Sequence, residues 1–368
     1  MLRIIYAFSV ITGTMIGVGL FALPYLTLKT SPLTIFVYFV LLGAVSIAIH
    51  YFYAAIALKT PDFIRLPGFA RYHLGQNAYR IAVASGILGL MGANLAYLIL
   101  GGRFLTSIFS PIFGFGESFY TFWYFILGSI LVLVGIKAIG RFHLLGLILF
   151  FLSLVIIVVK GVNHIDFSNI VFESDPSYWF IPYGVVLFSF WGLSLIPEAE
   201  ELLDGGRKHL TKIIPFTVIF SALIYSIFIF VILGIMGNET PADALTGLQM
   251  FLGNGIIGLV LLFAVVATFT SYIALGLTLQ KILWYDMRIP KIIAWAIACI
   301  TPFLVYLIGF QDFIRVLSVV GCTMLVVDAI LVCLMYKKIV SMKYRYLVYP
   351  VIIALSLGFV SELINFFV

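Results

Sequence analysis

The sequence predicts an all-α polytopic membrane protein of eleven spans, and three observations carry that prediction. Of its 368 residues, 63% are hydrophobic and 10% are charged, which would leave a soluble globule without a hydrated exterior. The apolar residues fall in runs long enough to cross a hydrocarbon core as helices, which takes about 20 residues each, and the alternation of a membrane β-barrel is missing. Positive charge, finally, is distributed very unevenly between alternate connections.

The runs are 4–27, 32–57, 79–109, 119–137, 142–161, 177–203, 210–236, 252–284, 290–308, 312–335 and 346–367. With successive connections on opposite sides, 17 of the 21 lysines and arginines collect on one side. The other side has only Lys29, Arg103, Lys160 and Arg315. The positive-inside rule then places the N-terminus in the cytoplasm and the C-terminus outside, in a multi-pass protein of the cell membrane. A missed or false span would scramble this asymmetry. The net charge of +6 is therefore topological: it suits a lipid bilayer and implies no nucleic-acid partner. The first run lacks a small-residue cleavage site and is expected to stay as a membrane helix. Cys299, Cys322 and Cys333 lie in apolar runs without disulfide or metal spacing and read as small hydrophobes.

Span one contains "ITGTMIGVGLFALP", with Gly13, Gly17 and Gly19 within seven residues. Each glycine costs a helix about 1 kcal/mol relative to alanine, so unwinding here is cheap. Irregular backbone at membrane depth is tolerated only inside protein or along a cavity. The alternative is close packing through Gly13 and Gly17 at helical spacing. Residues 61–77 are expected to form a short interfacial helix with Phe63, Leu66, Phe69 and Tyr72 on its membrane side. Span three carries Asn94 and Tyr97 midway, Asn94 as a helix-linking amide or a site residue and Tyr97 as a possible outer closure. The five histidines are assigned to span ends or loops.

Span six reads "YGVVLFSFWGLSLIPEAEELL". Ser189, Gly192 and Ser194 interrupt it, and Pro197 opens a new helical segment, where its missing N–H is harmless. Gly13 and Gly192 lie 179 residues apart, and their spans run in opposite directions. Residues 4–161 and 177–335 thus read as inverted halves of one domain, 1–368, each opening on a broken helix, with 346–367 as an extra helix. Paired interruptions of this kind point to a transporter binding site near the midplane. Half-helix ends there offer N–H and C=O groups to charged solutes.

Three acids complete the inventory. Asp328 lies well inside span ten, where a carboxylate is costly and serves either function or a structural hydrogen bond. Glu198 follows Pro197, where the helix dipole favours negative charge; it reads as a first-turn cap or a cytoplasmic gate. Glu362 is placed at the outer interface. The chain has no nucleophile–base pair, metal-ligand spacing or phosphate loop, so neither an enzyme nor a cofactor is expected.

"GTMIGVGLFALPY" and "LFSFWGLSLIPEAEELLDGGRKHLTKIIP" resemble the first and sixth helices of the amino acid/polyamine/organocation superfamily, nearest its amino acid/auxin permease and aromatic amino acid permease branches. "RLPGFARYHLG" and "TSYIALGLTLQKILWYDMRIP" are similar to the loop after helix two and to helix eight with its following loop. The resemblance implies the leucine-transporter fold: a 5+5 inverted repeat with helices one and six broken, plus an eleventh helix. It further implies a secondary active transporter of amino acids, neutral or aromatic, working as a cation-coupled symporter by alternating access. An exchanger or uniporter on the same scaffold, or a membrane nutrient sensor, are the alternatives. The resemblance assigns the substrate carboxylate to the backbone of Thr14, Met15, Gly17, Val18 and Gly19. It assigns the ammonium to carbonyls around Ser189, Phe190 and Gly192, with Phe190 and Trp191 as pocket walls and Asn94 facing the substrate. A Na⁺-like site would combine the carbonyls of Gly13, Ile16 and Ala267 with the hydroxyls of Thr270 and Ser271, five oxygens that suit a hard cation. Back-bonding of those hydroxyls to their own helix is the plain alternative. Coupling to H⁺ instead would call on Glu198 or Asp328, since span five has only Lys160, near its outer end, where some proton-coupled relatives have a lysine within the helix. The sequence carries no sign of oligomeric state.

Overall fold

The computed structural model describes residues 2–60, 64–135, 139–172 and 178–367. Phe63, Lys137 and the expected start of span six at residue 177 lie outside them. Among the described residues there are helices and turns and no strand.

Each expected run is occupied by helix. Span one is α1 (Leu2–Met15), a 3₁₀ turn (Val18–Ala22) and α2 (Leu23–Thr30). Span two is α3 (Pro32–Lys59); Pro32 sits at its first position, and the Ser31 side chain accepts the Thr34 N–H at 3.1 Å. These two devices allow a tight reversal between apolar helices. Next come α4 (Leu66–Leu74) and α5 (Gln76–Phe113), separated by Gly75 at φ +96°. With 38 residues, α5 is about 57 Å long at 1.5 Å per residue, longer than a bilayer core is thick. Spans four and five are α6 (Glu117–Val134) and α7 (Ile139–Gly161).

Span six is again divided, into α8 (Pro182–Ser189) and α9 (Ile196–Leu203). It is followed by α10 (Leu210–Met236), a short α11 (Gln249–Leu252), α12 (Asn254–Lys281) and α13 (Lys291–Leu307). Span ten is α14 (Phe313–Val319) and α15 (Leu325–Ile339), joined by a π turn at Val320–Met324, and span eleven is α16 (Val348–Phe367). The largest helix–helix contacts are those of α12 with α7 and α5, while α1 packs on α9, α10 and α7. Both broken spans are thereby enclosed by continuous helices, as irregular backbone at membrane depth requires.

Two expectations are corrected. His50 is not at a span end: it lies within α3 and is fully buried. Phe69 does not face the membrane. It is fully buried and meets the Tyr53 ring edge-on at 5.3 Å, while Tyr72 on the same helix is exposed. A helix of nine residues beside α5 and α15 buries the face nearest them, and Phe69 falls on that face.

Candidate functional site

The glycines shape the break in span one. After Met15 the α-helix stops, Gly17 takes φ −120° and ψ −149°, and the chain turns by 42° into the following segment. Gly17 leaves space for the Tyr97 hydroxyl and Gly19 for Ser189; a Cβ at either position would collide with them. Tyr97 Oη, from α5, accepts the Val18 N–H at 3.2 Å. Gly13, by contrast, has open space around it, so the close-packing reading of the Gly13 and Gly17 pair fails at Gly13.

The break in span six is held from outside. Ser46 and His50, one turn apart on α3, reach the non-helical residues 190–192. Ser46 Oγ donates to the Phe190 carbonyl at 2.8 Å, and the Gly192 N–H donates to His50 Nε2 at 2.9 Å. A peptide N–H must meet a lone pair, so Nε2 is bare and Nδ1 carries the hydrogen. Nδ1 donates it to the Ser46 carbonyl, 2.7 Å away. Sequence reading missed both residues, although a polar "SIAIH" inside an apolar run was a usable signal.

Tyr225 of α10 ties the two breaks together. Its Oη lies 2.7 Å from the Met15 carbonyl and 2.6 Å from the Ser189 carbonyl. One hydroxyl hydrogen serves one acceptor at a time; the Met15 carbonyl also accepts the Gly17 N–H at 2.7 Å, so it is the Ser189 carbonyl that loses its donor when the hydroxyl turns to Met15. Nothing in the local sequence marks this tyrosine.

Below the breaks, on the side where α1 begins, lies a cavity of about 110 Å³. Thr14, Tyr97, Trp191 and Ser194 line its inner part; Arg65 and Asp328 also border it. Beyond the break the space is closed by Phe21, whose ring meets Phe104, Phe150 and Phe228 at 5.3, 6.3 and 6.0 Å. Thr14 Oγ1 and Ser189 Oγ bond back to Val10 and Val185 of their own helices, at 2.9 and 2.8 Å. Phe190 does not wall this cavity. Where the helix ends, its ring turns to Phe39 and Tyr225, at 5.5 and 5.4 Å, and Trp191 takes the lining position. Asn94 is buried beside Gly276 of α12, and its Oδ1 has no hydrogen-bond partner among the described residues.

The five expected cation ligands divide between α1 with its break and α12. On α12, Thr270 and Ser271 donate to the Ala267 carbonyl at 2.8 and 3.4 Å, which leaves their oxygen lone pairs available. The α7 residue facing the Thr270 hydroxyl is Gly146, and Lys160 is exposed near the other end of that helix. Gly13 and Ile16 lie at the end of α1 and in the break. Among the described residues no group of three or more His, Cys, Asp or Glu could hold a metal ion.

Two acids are paired at the mouth. Arg65 Nη2 lies 2.6 Å from Glu198 Oε1, with side chains 38% and 28% exposed. Burial alone would lower the Arg65 pKa, but the Glu198 carboxylate outweighs it and the shift is upward. Glu200 is buried and accepts from Arg207. Asp328 accepts from Ser85 of α5. Glu362, expected at the interface, is half-buried and meets Ser318, at 3.0 Å, and Cys322.

Comparison with solved structures gives two full-length likenesses. MhsT, in a crystal structure in complex with L-phenylalanine, superposes with a TM-score of 0.62 at 13% identity, over 98% of this chain and 97% of that one. Mhp1, a nucleobase-cation-symport-1 family transporter in a closed conformation with bromovinylhydantoin bound, gives a TM-score of 0.69 at 12% identity. That match covers 93% of this chain and 80% of the other. Both share the leucine-transporter fold with this chain. A comparison with curated proteins finds no match. The profile of the tryptophan/tyrosine permease family matches residues 2–360, and the chain belongs to that family.

Proposed function

We propose that this permease is a cation-coupled symporter of neutral or aromatic amino acids in the cell membrane, with its N-terminus in the cytoplasm. Family membership makes it a transporter rather than an enzyme. The observation that carries the substrate reading is the meeting of the two breaks at Tyr225. Tyr225 divides one hydrogen between two buried carbonyls there, of which Met15 also accepts the Gly17 N–H, and a substrate ammonium supplies a donor to the Ser189 carbonyl and to the second lone pair of Met15. The positive end of the half-helix after Gly17 suits the carboxylate, which would take the Val18 N–H now accepted by Tyr97. Trp191 supplies an aromatic wall, and the bound L-phenylalanine of MhsT is of the same substrate class.

Alternating access follows from the asymmetry about the breaks. The far side is closed by the Phe21 cluster and the near side holds the cavity that ends at Arg65 and Glu198. This is the arrangement of a carrier turned toward the cytoplasm, with inverted halves 4–161 and 177–335 rocking about the site. Gly13, Ile16, Ala267, Thr270 and Ser271 are the ligand set for Na⁺; Glu198 and Asp328 are the groups for H⁺.

The test is uptake by proteoliposomes under an imposed Na⁺ or H⁺ gradient, after a thermal-shift screen of the amino acids. Ligand that binds only the folded state raises its melting temperature. Accumulation of an aromatic or other large neutral amino acid under either gradient is the expected result. Counterflow without gradient dependence would replace symport by exchange, and no movement of any amino acid would remove the reading.

A further inference from the structure

The cavity contains one acid that neither break uses. Asp328 lies in the first turn of α15, 8% exposed, on the cavity wall. Ser85 Oγ of α5 lies 2.5 Å from its Oδ1. The same Oγ lies 3.0 Å from the Ile81 carbonyl, one helical turn back. A serine hydroxyl has one hydrogen and two lone pairs. When it donates to Asp328, as placed here, Oδ1 is the acceptor, the arrangement that best suits the ionised carboxylate. When it donates to Ile81, Oγ shows Asp328 only lone pairs, and the contact then requires a hydrogen on the acid. The pair is complete in both protonation states, and the two states differ by one proton and one rotation of a hydroxyl.

Among the described residues no cation pairs with Asp328. Arg65, which borders the same cavity, is held by Glu198. From α3 the nearby titratable group is Tyr53, a phenol. The acid of α16, Glu362, is engaged with Ser318 and Cys322. At the α4 end, Lys338 donates to the His73 backbone carbonyl and the His73 ring meets the Thr60 hydroxyl, and on α5 Arg80 is exposed. An uncompensated carboxylate is costly in a dry interior, and ordered water reduces that cost. The cavity has room for several waters and reaches solvent at the partly exposed Arg65. The charge on Asp328 therefore follows whether the cavity is open and wet or closed and dry.

We propose that Asp328, with Ser85 as its hydrogen-bond relay, binds and releases the coupling proton of this transporter; the proposal rests on the symport reading above. On release, the Asp328 O–H bond breaks and an O–H bond forms on water entering past Arg65, while the Ser85 hydrogen swings from Ile81 to Oδ1. Loading reverses both movements.

The test compares wild type, Asp328→Asn and Ser85→Ala in proteoliposomes, using the amino acid the uptake screen identifies. Accumulation under a H⁺ gradient and counterflow across pH are both read. Asp328→Asn is expected to lose accumulation, and its remaining counterflow to be flat with pH. Ser85→Ala is expected to keep accumulation, with the pH midpoint moved upward by about one unit, because the ionised acid loses a charge-assisted hydrogen bond. Accumulation by Asp328→Asn with the wild-type pH profile overturns the proposal. So does wild-type accumulation that follows Na⁺ and ignores the H⁺ gradient, which leaves the symport reading standing. Should Asp328→Asn fail to fold, an unmoved midpoint in Ser85→Ala overturns it. A wild type with neither accumulation nor counterflow removes the transport reading itself.

Discussion

The two broken spans reach the same outcome by different routes. Span one breaks from within: Gly17 and Gly19 loosen the helix, and the space they leave admits Tyr97 and Ser189. Span six has one glycine at its break and depends on its surroundings. Ser46 and His50 hold its open peptide groups from α3, and Arg65 ties the following half-helix to the loop after α3. A break caused by missing side chains is a property of one segment. A break completed by hydrogen bonds from another helix exists only once the helices are packed.

The largest effect that tests this contrast is expected from His50→Ala. It removes the acceptor of a buried N–H and leaves a hole, at a cost of about 3 kcal/mol, read as a lower melting temperature and a weaker substrate-induced shift. An unchanged melting temperature would mean that span six breaks without its caps. Next comes Gly19→Ala, where the new Cβ meets Ser189 and overpacking costs about 2 kcal/mol. Gly13→Ala is its control: the site is open, and helix propensity predicts a gain of about 1 kcal/mol in melting experiments. Equal effects at the two glycines would erase the distinction between the break and the helix before it.

Tyr225→Phe sharpens the comparison by separating the breaks. The Ser189 carbonyl loses its donor and Met15 keeps only the Gly17 N–H, at about 1–2 kcal/mol, and a ligand that brings an ammonium should then stabilise the variant more than it stabilises the wild type. An equal ligand shift in both proteins would place the ammonium elsewhere. The smallest effect is expected from Arg65→Ala. A partly exposed ion pair contributes at most about 1 kcal/mol, so melting should change little and lose its salt dependence. A large, salt-independent loss would show that α9 depends on this pair for its position.

Much of the fold was legible because a membrane imposes simple rules. Apolar length predicted the helices, of which eight among the described residues, or nine with the bent pair of span one, are by themselves long and apolar enough to cross a membrane, and glycine and proline predicted where spans one and six would break. The site was less legible. The positions of the breaks could be read, but the partners of their peptide groups could not. Tyr225 and Ser46 are ordinary residues in apolar helices until packing brings them to a carbonyl. His50 was misplaced because distance from a run's end was judged without its neighbours. Phe190 and Trp191 are adjacent, and which of them faces a cavity depends on the turn that ends α8. The position of Glu362 near a run's end could be read, but its partners, Ser318 on α14 and Cys322 on the turn after it, could not.

The sequence by itself determined that this chain is a bundle of membrane helices with two weak points and an acid within span ten. Those features follow from transfer free energy and backbone freedom, which are local. Tertiary structure alone decided that Tyr225 joins the weak points, that α3 caps the second of them, and that Ser85 stands between Asp328 and Ile81. A hydrogen bond between residues over a hundred positions apart requires both to be brought within about 3 Å, and only the packed bundle sets that distance.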